Sequence, residues 1–246
     1  MSSCGAVPID VWTVDLRSVT SEDACAGIGR SENERASRLR APELADRFRS
    51  AHFALRRLLG GYLACDPLEV VLTVDADGRP QVKGEPLSFN TSRSGDLAVI
   101  GISRESSVGI DIEALRPIPE AISMARRYFH PSEYEFLSST SADQLDRRFL
   151  EMWTAKEAIL KAIGAGLPGG LGVTTGIGRP GPHLSSVSWH GERQVVVTER
   201  MRAEHGYVGA VATPGGWPVP HYRRFDAEQA EVCSSVAELP GRREAV

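Results

Sequence analysis

The amino-acid sequence predicts an α+β fold, because its helical and strand patterns come in separate runs. Apolar residues recur at helical spacing in long segments, whereas short alternating segments bounded by Gly, Asn, Asp or Pro indicate strands. Both halves of the chain run as helices followed by strands, which predicts two related α+β halves joined near residue 105. The predicted boundaries are 1–105 and 106–225, followed by a flexible tail over 226–246.

The N-terminal half begins with a predicted strand and continues into helices. Ile9 and Val11 alternate with other residues in a strand expected over 8–16. Ser31 with Glu34 has the spacing of a capping box for the next helix, and a longer helix is expected from about Pro42 to Ala64. The strands predicted after it lie over 68–75, 89–92, 96–103 and 108–115. The polar turn over 104–107 predicts that the last two of these strands form a hairpin.

The C-terminal half begins with three predicted helices and ends with strands. The helices are expected over 118–129, 130–139 and 143–166. Gly164 and Gly166 end the last helix, since glycine adopts the left-handed conformation that closes many helices. The predicted strands lie over 183–190, 193–200 and 207–213.

Composition places the chain among ordinary globular proteins. Hydrophobic residues make up 41% and charged residues 24% of the sequence, and the net charge of -4 argues against a general nucleic-acid-binding protein. No apolar run approaches the ~18 residues needed to cross a bilayer, and no secretory signal is readable at the N-terminus. The cysteines are scattered without metal-ligand spacing, so we expect reduced thiols in a cytoplasmic protein with no membrane partner.

The segment VGIDIE places two carboxylates on one face of a predicted strand. Asp111 and Glu113 project together, roughly 6–7 Å apart, while Ile112 takes the opposite face. Neighbouring carboxylates repel unless a cation lies between them, and oxygen ligands suit Mg²⁺. The pair alone is equally typical of an edge strand with its polar side in water, so both interpretations stay open at this point.

The segment WTAKEAILK carries a third carboxylate on a predicted helix. Trp153, Glu157 and Lys161 fall along one line of that helix. Taken alone, Glu157 and Lys161 are typical of a surface pair that contributes about 0.2–0.5 kcal/mol. Lysine is rare in this chain, however: only three of the 28 basic residues are lysines, and Lys156 and Lys161 are two of them. This choice suggests that a compact ammonium is required here.

Two further stretches have the chemistry of phosphate sites. FNTSRSG offers hydroxyls, backbone N–H groups and one guanidinium, a combination that suits a phosphate and is also ordinary turn chemistry. The segment from Arg30 to Arg57 contains eight arginines and four acidic residues. Such a segment is typical of a solvated helical face, and it could also receive a small polyanion.

Together, these stretches resemble the signature motifs of the Sfp-type 4′-phosphopantetheinyl transferases. The family patterns are roughly FNxSHSG, (V/I)G(I/V)DIE and W(S/T)xKE(A/S)xxK. They are matched by FNTSRSG (89–95), VGIDIE (108–113) and WTAKEAILK (153–161). DGRP (77–80) resembles a further turn of the family, and the arginine-rich helix over 47–63 resembles its early helix. The resemblance therefore covers most of the chain.

The resemblance implies two pseudo-symmetric halves, each an antiparallel sheet packed with helices, with coenzyme A bound between them. It implies transfer of 4′-phosphopantetheine from coenzyme A to a serine of an apo acyl or peptidyl carrier protein, with release of 3′,5′-ADP. Relatives of this type serve polyketide, nonribosomal peptide and siderophore synthesis. One chain would supply both walls of the cleft, which is consistent with an active monomer.

The resemblance also assigns roles to individual residues. Asp111, Glu113 and Glu157 would hold Mg²⁺ at the pyrophosphate, which would relieve the repulsion between them. Asp111, Glu157 and Lys161 would form the catalytic group, with Glu157 or a metal-bound water as the base for the serine. The residues implied to contact coenzyme A are Arg47, Arg56, Arg79, Ser92, Arg93, Lys156 and Lys161.

Arg93 departs from the family pattern, because the motif has histidine at this position. Arginine keeps the donor role with a permanent charge, so we expect activity to survive and coenzyme A affinity to vary less between about pH 5 and pH 8 than in a relative that has histidine here. A second hypothesis is a non-catalytic coenzyme A or carrier-protein binding module that lost turnover through this change. A third is a structural protein with coincidental motif matches. The intact set of Asp111, Glu113, Glu157 and Lys161 favours the enzyme, since a mere binder need not keep a metal site.

Overall fold

A computed structural model describes residues 5–165, 170–176 and 181–227 and confirms the predicted α+β fold. The described strands are β1 Gly5–Asp15, β2 Leu72–Val74, β3 Pro80–Val82, β4 Ser88–Ser94, β5 Leu97–Ser103, β6 Gly109–Ala114, β7 His183–Trp189, β8 Glu192–Arg200, β9 Tyr207–Pro214 and β10 Gly216–Arg224. The described helices are α1 Ser21–Ala26, α2 Arg30–Ser37, α3 Pro42–Leu63, α4 Ala121–Tyr128, α5 Pro131–Ser138 and α6 Ala142–Ile163.

The described strands form two four-stranded sheets and one two-stranded sheet. The first large sheet has the order β10-β1-β5-β4, the second has the order β6-β9-β8-β7, and β2 pairs with β3. The pairs β2–β3, β4–β5, β6–β9, β7–β8 and β8–β9 are antiparallel. β1 and β10 run parallel, which is possible because the chain crosses the whole fold between them.

The chain divides into two compact units. The larger comprises the chain up to Thr13 together with Leu72–Arg224, and the smaller comprises Val14–Val71 with the chain from Phe225. Neither unit ends near residue 105. The predicted halves 1–105 and 106–225 therefore do not coincide with these units and stay a prediction. Most of the predicted tail, 226–246, lies outside the described residues, which end at 227.

The smaller unit is built around α3, whose buried face includes Phe48, Phe53 and Leu58 and packs against α1 and α2. The predicted capping box of α2 is wrong. The cap residue is Gly29, whose N–H donates to the Glu32 carboxylate at 2.7 Å, whereas Glu34 pairs with Arg30 at 3.0 Å. The helix starts earlier than predicted because the Glu32 carboxylate satisfies its N-terminal donor and Glu34 lies on its exposed side.

A buried ionic network holds this unit together around Glu32. Its carboxylate accepts from Arg56 Nε at 2.5 Å and contacts His52 Nδ1 at 2.9 Å. Arg56 also donates to the carbonyl oxygens of Pro67 and Val70, at 2.9 and 3.2 Å. Burial alone would raise the pKa of Glu32, but the hydrogen bonds from His52, Arg56 and Gly29 outweigh it and lower the pKa to about 2. Glu32 is thus a fully neutralised structural charge.

In the larger unit, the predicted hairpin between β5 and β6 is wrong. β5 belongs to the first large sheet and β6 to the second, so the turn over 104–107 connects two sheets. β6 pairs through one edge with β9, while its other edge meets side chains of β4 rather than a neighbouring backbone. Those side chains fill the hydrogen-bonding positions that a hairpin partner would otherwise occupy.

Close packing of α6 on β6 brings the two acidic motifs of the sequence together. A Cβ added at Gly109 would lie 2.0 Å from the Ala158 carbonyl oxygen and 2.4 Å from the Ala162 nitrogen. Only glycine therefore permits this separation of strand and helix. α6 ends at Ile163 with Gly164 as its C-cap, whose φ of 75° is the left-handed conformation expected there, whereas Gly166 lies outside the described residues. In the described part of the chain, none of the helices combines the length and the apolar surface that a membrane span requires.

Candidate active site

The centre of the candidate site is Asp111 on β6, a carboxylate that is only 6% exposed. Its Oδ1 atom accepts hydrogen bonds from Lys161 Nζ at 2.7 Å and from Ser92 Oγ at 2.6 Å. Lys161 lies on α6 and also donates to the Ile110 carbonyl oxygen at 3.2 Å. The predicted lysine therefore reaches across from the helix to the acidic strand.

The second carboxylate of the motif, Glu113, has a similar arrangement two residues further along β6. Its Oε2 atom accepts from Ser94 Oγ at 2.8 Å and from an Arg116 guanidinium nitrogen at 2.7 Å. Asp111 and Glu113 are thus each held by one serine of β4 and one cation. Asp111 and Glu113 lie two residues apart on β6, and the core residues Ile110 and Ile112 alternate with them along the strand.

Glu157 supplies the third acidic group from α6, and it is only half-buried. Burial is the largest cause that raises its pKa, followed by repulsion from Asp111, while Lys161 opposes the rise. Burial likewise raises the pKa of Asp111, with Lys161 and Ser92 opposing and Glu113 adding to the rise. Within the described ranges, the Glu157 carboxylate has no hydrogen-bond partner. The three acidic groups therefore carry more negative charge than the neighbouring cations neutralise.

The donor chemistry of these residues fits a divalent cation such as Mg²⁺. Carboxylate oxygens are its preferred protein ligands, and the unneutralised charge at Asp111 and Glu157 is what a cation would relieve. As the described side chains are placed, no three acidic, histidine or cysteine groups converge closely enough to hold one ion. The Lys161 ammonium instead provides the positive charge beside Asp111.

Arg79 lies in the same unit but is engaged elsewhere. It donates to Ser107 Oγ at 2.5 Å and to the Ala162 carbonyl oxygen at 3.2 Å, and it pairs with Asp75 at 3.4 Å. It also lines a cavity of about 290 Å³ together with residues of β3 and of the turn after β5. None of the three acidic residues lines this cavity, so it is separate from the acidic cluster.

Ser92 and Arg93 follow each other on β4, and their side chains point in opposite directions. Ser92 donates a hydrogen bond to Asp111, whereas Arg93 is exposed. The two residues that the resemblance assigns to one ligand therefore have different surroundings.

Lys156 is fully buried, which argues against its predicted contact with coenzyme A. Its ammonium lies 2.5 Å from Glu133 Oε2, donates to the Val173 carbonyl oxygen and lies 4.6 Å from the centre of the Phe129 ring. Glu133 Oε1 in turn accepts from the backbone N–H and the hydroxyl of Thr175, both at 2.8 Å. Burial lowers the pKa of Lys156, and Glu133 opposes that shift. This lysine therefore connects α5, α6 and the segment around Val173.

The remaining two predicted ligands, Arg47 and Arg56, belong to the smaller unit. Arg47 is half-buried on α3. Arg56 is only 7% exposed, and its guanidinium is occupied by Glu32 and the carbonyl oxygens of Pro67 and Val70. These contacts give Arg56 a structural role and argue against the predicted contact with coenzyme A.

Sequence reasoning missed Ser94 and Arg116, which hold Glu113, and Glu133, which pairs with Lys156. A signal for Ser94 was present, because Ser92 and Ser94 are two residues apart on β4, just as Asp111 and Glu113 are on β6. No local pattern could have indicated Glu133, since it lies 23 residues from Lys156 on a different helix.

The fold and the site define an α+β protein with an acidic cluster and a lysine at a strand–helix junction, a combination suited to phosphate chemistry. Residues 107–210 match the model of the 4′-phosphopantetheinyl transferase superfamily. The chain is 36% identical over 165 residues to the 4′-phosphopantetheinyl transferase HetI of Nostoc sp., covering 65% of this chain and 70% of that protein. The chain therefore belongs to the 4′-phosphopantetheinyl transferase superfamily.

Two further relatives agree with this assignment. A putative 4′-phosphopantetheinyl transferase of Synechocystis sp. is 37% identical over 147 residues, which is 58% of this chain and 60% of that protein. The 4′-phosphopantetheinyl transferase Sfp of Bacillus subtilis is 29% identical over 153 residues, which is 57% of this chain and 67% of that protein. These relatives are named as transferases, which confirms the predicted family and enzyme class.

Proposed function

We propose that the chain transfers 4′-phosphopantetheine from coenzyme A to a serine of an apo acyl or peptidyl carrier protein and releases 3′,5′-ADP. The observation that carries this proposal is the acidic cluster of Asp111, Glu113 and Glu157 beside Lys161. Buried negative charge that is incompletely neutralised lowers the stability of a folded chain, and perturbed charges of this kind are typical of ligand-binding and catalytic sites. The motif positions of these residues and the family of the chain both point to the same reaction.

The proposed reaction is a displacement at the phosphorus that bears the pantetheine arm. The serine hydroxyl oxygen forms a bond to that phosphorus, and the bond between phosphorus and the oxygen of 3′,5′-ADP breaks. The serine proton passes to a carboxylate, and Glu157 is the candidate for this role, because its motif position implies it and its carboxylate has no hydrogen-bond partner within the described residues. The Lys161 ammonium lies beside the same cluster and would stabilise charge on the leaving group.

Asp111, Glu113 and Glu157 would hold Mg²⁺. When bound, this ion would neutralise charge that develops on the pyrophosphate. Lys161, Arg93, Arg79 and Arg47 remain candidate contacts for the phosphates of coenzyme A, whereas the buried positions of Lys156 and Arg56 argue against that role. The carrier protein would belong to polyketide, nonribosomal peptide or siderophore synthesis.

Mass spectrometry of a carrier protein tests the proposal directly. Apo acyl and peptidyl carrier proteins are incubated with the chain, coenzyme A and Mg²⁺, and the expected product is the carrier with phosphopantetheine on its serine. Omission of Mg²⁺ and the Asp111→Asn variant serve as matched controls, and both should abolish the mass increase. Coenzyme A that binds by calorimetry without modifying any carrier would instead support a non-catalytic binding module.

A further inference from the structure

A ladder of side-chain hydrogen bonds connects β4 to β6, the edge strands of the two large sheets. Every second residue of β4 accepts a backbone N–H from a residue 20 positions further along the chain, which lies in β6 or directly before it. The four pairs are Ser88 with Val108, Asn90 with Ile110, Ser92 with Ile112 and Ser94 with Ala114, at 3.2, 3.2, 3.3 and 3.0 Å. These side chains pair N–H groups that an edge strand would otherwise leave open.

Only two of the four β4 side chains also touch a carboxylate. Ser92 Oγ donates to Asp111 Oδ1 at 2.6 Å, and Ser94 Oγ donates to Glu113 Oε2 at 2.8 Å. A hydroxyl has one hydrogen and two acceptor positions. Because the backbone N–H occupies an acceptor position of each serine, the hydroxyl hydrogen is directed toward the carboxylate. Within the described residues, Ser88 and Asn90 make the backbone bond alone.

The two carboxylates are engaged in the same way. In Asp111, Oδ1 accepts from both Ser92 and Lys161, and in Glu113, Oε2 accepts from both Ser94 and Arg116. In the part of the chain that the structure describes, the other oxygens, Asp111 Oδ2 and Glu113 Oε1, accept no hydrogen bond. Each carboxylate is thus held through one oxygen atom, and its second oxygen atom is available to bind a ligand.

We propose that Ser92 and Ser94 are positioning residues, which fix Asp111 and Glu113 on the backbone of β6 so that one oxygen of each stays available to a divalent cation. The inference rests on the proposed function and deepens it. It gives Ser92 a role toward Asp111 instead of its predicted role toward coenzyme A, and it adds Ser94 to the site. Hydrogen bonds to metal-ligating groups typically alter metal affinity by about 10- to 100-fold.

Variants of the ladder separate this role from mere strand support. Ser92→Ala and Ser94→Ala remove a backbone acceptor and a carboxylate donor together, whereas Ser88→Ala removes a backbone acceptor alone. Ser94→Thr keeps the hydroxyl. Binding of Mn²⁺, used as a probe for Mg²⁺, is measured by calorimetry, with thermal unfolding and the kcat and KM of carrier modification as parallel readouts.

The expected result is that Ser92→Ala and Ser94→Ala each weaken Mn²⁺ binding by about 10-fold or more, while Ser88→Ala binds as the parent chain does. All three alanine variants should lose similar thermal stability. In Ser92→Ala and Ser94→Ala, kcat for carrier modification should fall by a larger factor than KM rises. Ser94→Thr, which keeps the hydroxyl, should bind Mn²⁺ as the parent chain does. Equal Mn²⁺ affinity in all three alanine variants, with an active parent chain, would overturn the positioning role alone. A parent chain that neither binds Mn²⁺ nor modifies a carrier would overturn the proposed function and this inference together.

Discussion

Glu32 in the smaller unit and Asp111 in the larger unit are both buried carboxylates beside a basic side chain, yet their electrostatics are opposite. Glu32 receives hydrogen bonds from Gly29, His52 and Arg56, and its pKa falls to about 2. Asp111 receives bonds from Lys161 and Ser92, and its pKa still rises, because burial and the neighbouring Glu113 outweigh these bonds.

The difference between them separates a structural charge from a functional one. The polar contacts of Glu32 connect the start of α2 to α3, and Arg56 extends them to the segment around Val70. In the described part of the chain, the cluster around Asp111 has carboxylate oxygen atoms that accept no hydrogen bond. It also has negative charge that the neighbouring cations do not neutralise. A buried acidic residue beside a cation therefore indicates a site only when its neutralisation is incomplete.

The largest expected effect is on the functional side of this comparison. Glu157→Gln should lower kcat/KM for carrier modification by at least about 100-fold, because the amide cannot accept the serine proton. The free energy of unfolding at pH 7 should stay the same or rise, since a buried and repelled charge is removed. Kinetics by mass spectrometry and urea unfolding measure the two quantities. A large loss of stability would contradict the assignment of Glu157 to the site.

The matching change on the structural side is Glu32→Gln. We expect it to lower the free energy of unfolding by about 3 kcal/mol, because Arg56 would be left buried without its counter-charge. Glu34→Gln is the control: its pair with Arg30 is exposed, and its loss should cost at most about 0.5 kcal/mol. Urea denaturation compares the two, and equal losses would show that the buried network has no special role.

The two carboxylate clusters should also respond to pH with opposite sign. The pKa of Glu32 is lower in the folded chain than its ordinary value of 4.5, so its contribution is complete above about pH 4.5 and is lost as the pH falls toward 2. That contribution is about 3 kcal/mol. The pKa values of Asp111 and Glu157 are raised, so their effect is stabilising at low pH and is lost as the pH rises through the folded pKa values.

Unfolding free energies measured as a function of pH test this opposition. In Glu32→Gln, the free energy of unfolding should decrease less than in the parent chain as the pH falls toward 2. In Glu157→Gln, it should decrease less than in the parent chain as the pH rises above about 4.5. Identical pH profiles for the two variants would disprove the distinction between the clusters.

The smallest expected effect concerns Arg93, which is exposed on β4. Between about pH 5 and pH 8, the affinity of the parent chain for coenzyme A should vary less with pH than that of the Arg93→His variant, since arginine stays charged throughout. Arg93→His should make the affinity decrease by a few fold as the pH rises across this range, because histidine loses its charge there. Calorimetry at several pH values measures both proteins. A steep pH dependence in the parent chain would contradict the prediction.

Much of the fold could be predicted from the sequence, because periodicity reports which residues face a core. α3, α6 and the strands β4 to β6 contain such patterns and lie close to their predicted positions. β10 was missed because Pro218 and Pro220 interrupt its pattern, and proline is tolerated there since β10 is an edge strand. The hairpin of β5 and β6 was wrong because a turn sequence does not reveal which sheet the next strand joins.

The site shows the same limit. Asp111, Glu113 and Glu157 could be grouped by motif, and Lys161 reaches Asp111 from α6. Lys156 has an equally strong motif match, yet the structure buries it against Glu133. Sequence alone could not distinguish these two lysines, because the difference depends on Glu133, which tertiary packing alone brings to the helix face of Lys156.

The ladder between β4 and β6 has a consequence for the lengths that related chains can tolerate. Each rung joins residues 20 positions apart, so insertions in the connection over 104–107 would change that number without disturbing any rung. A single insertion after Asn90 would instead turn Ser92 and Ser94 to the opposite face of β4, because side chains alternate along a strand. Natural variation in length should therefore accumulate between the strands and be excluded from within them.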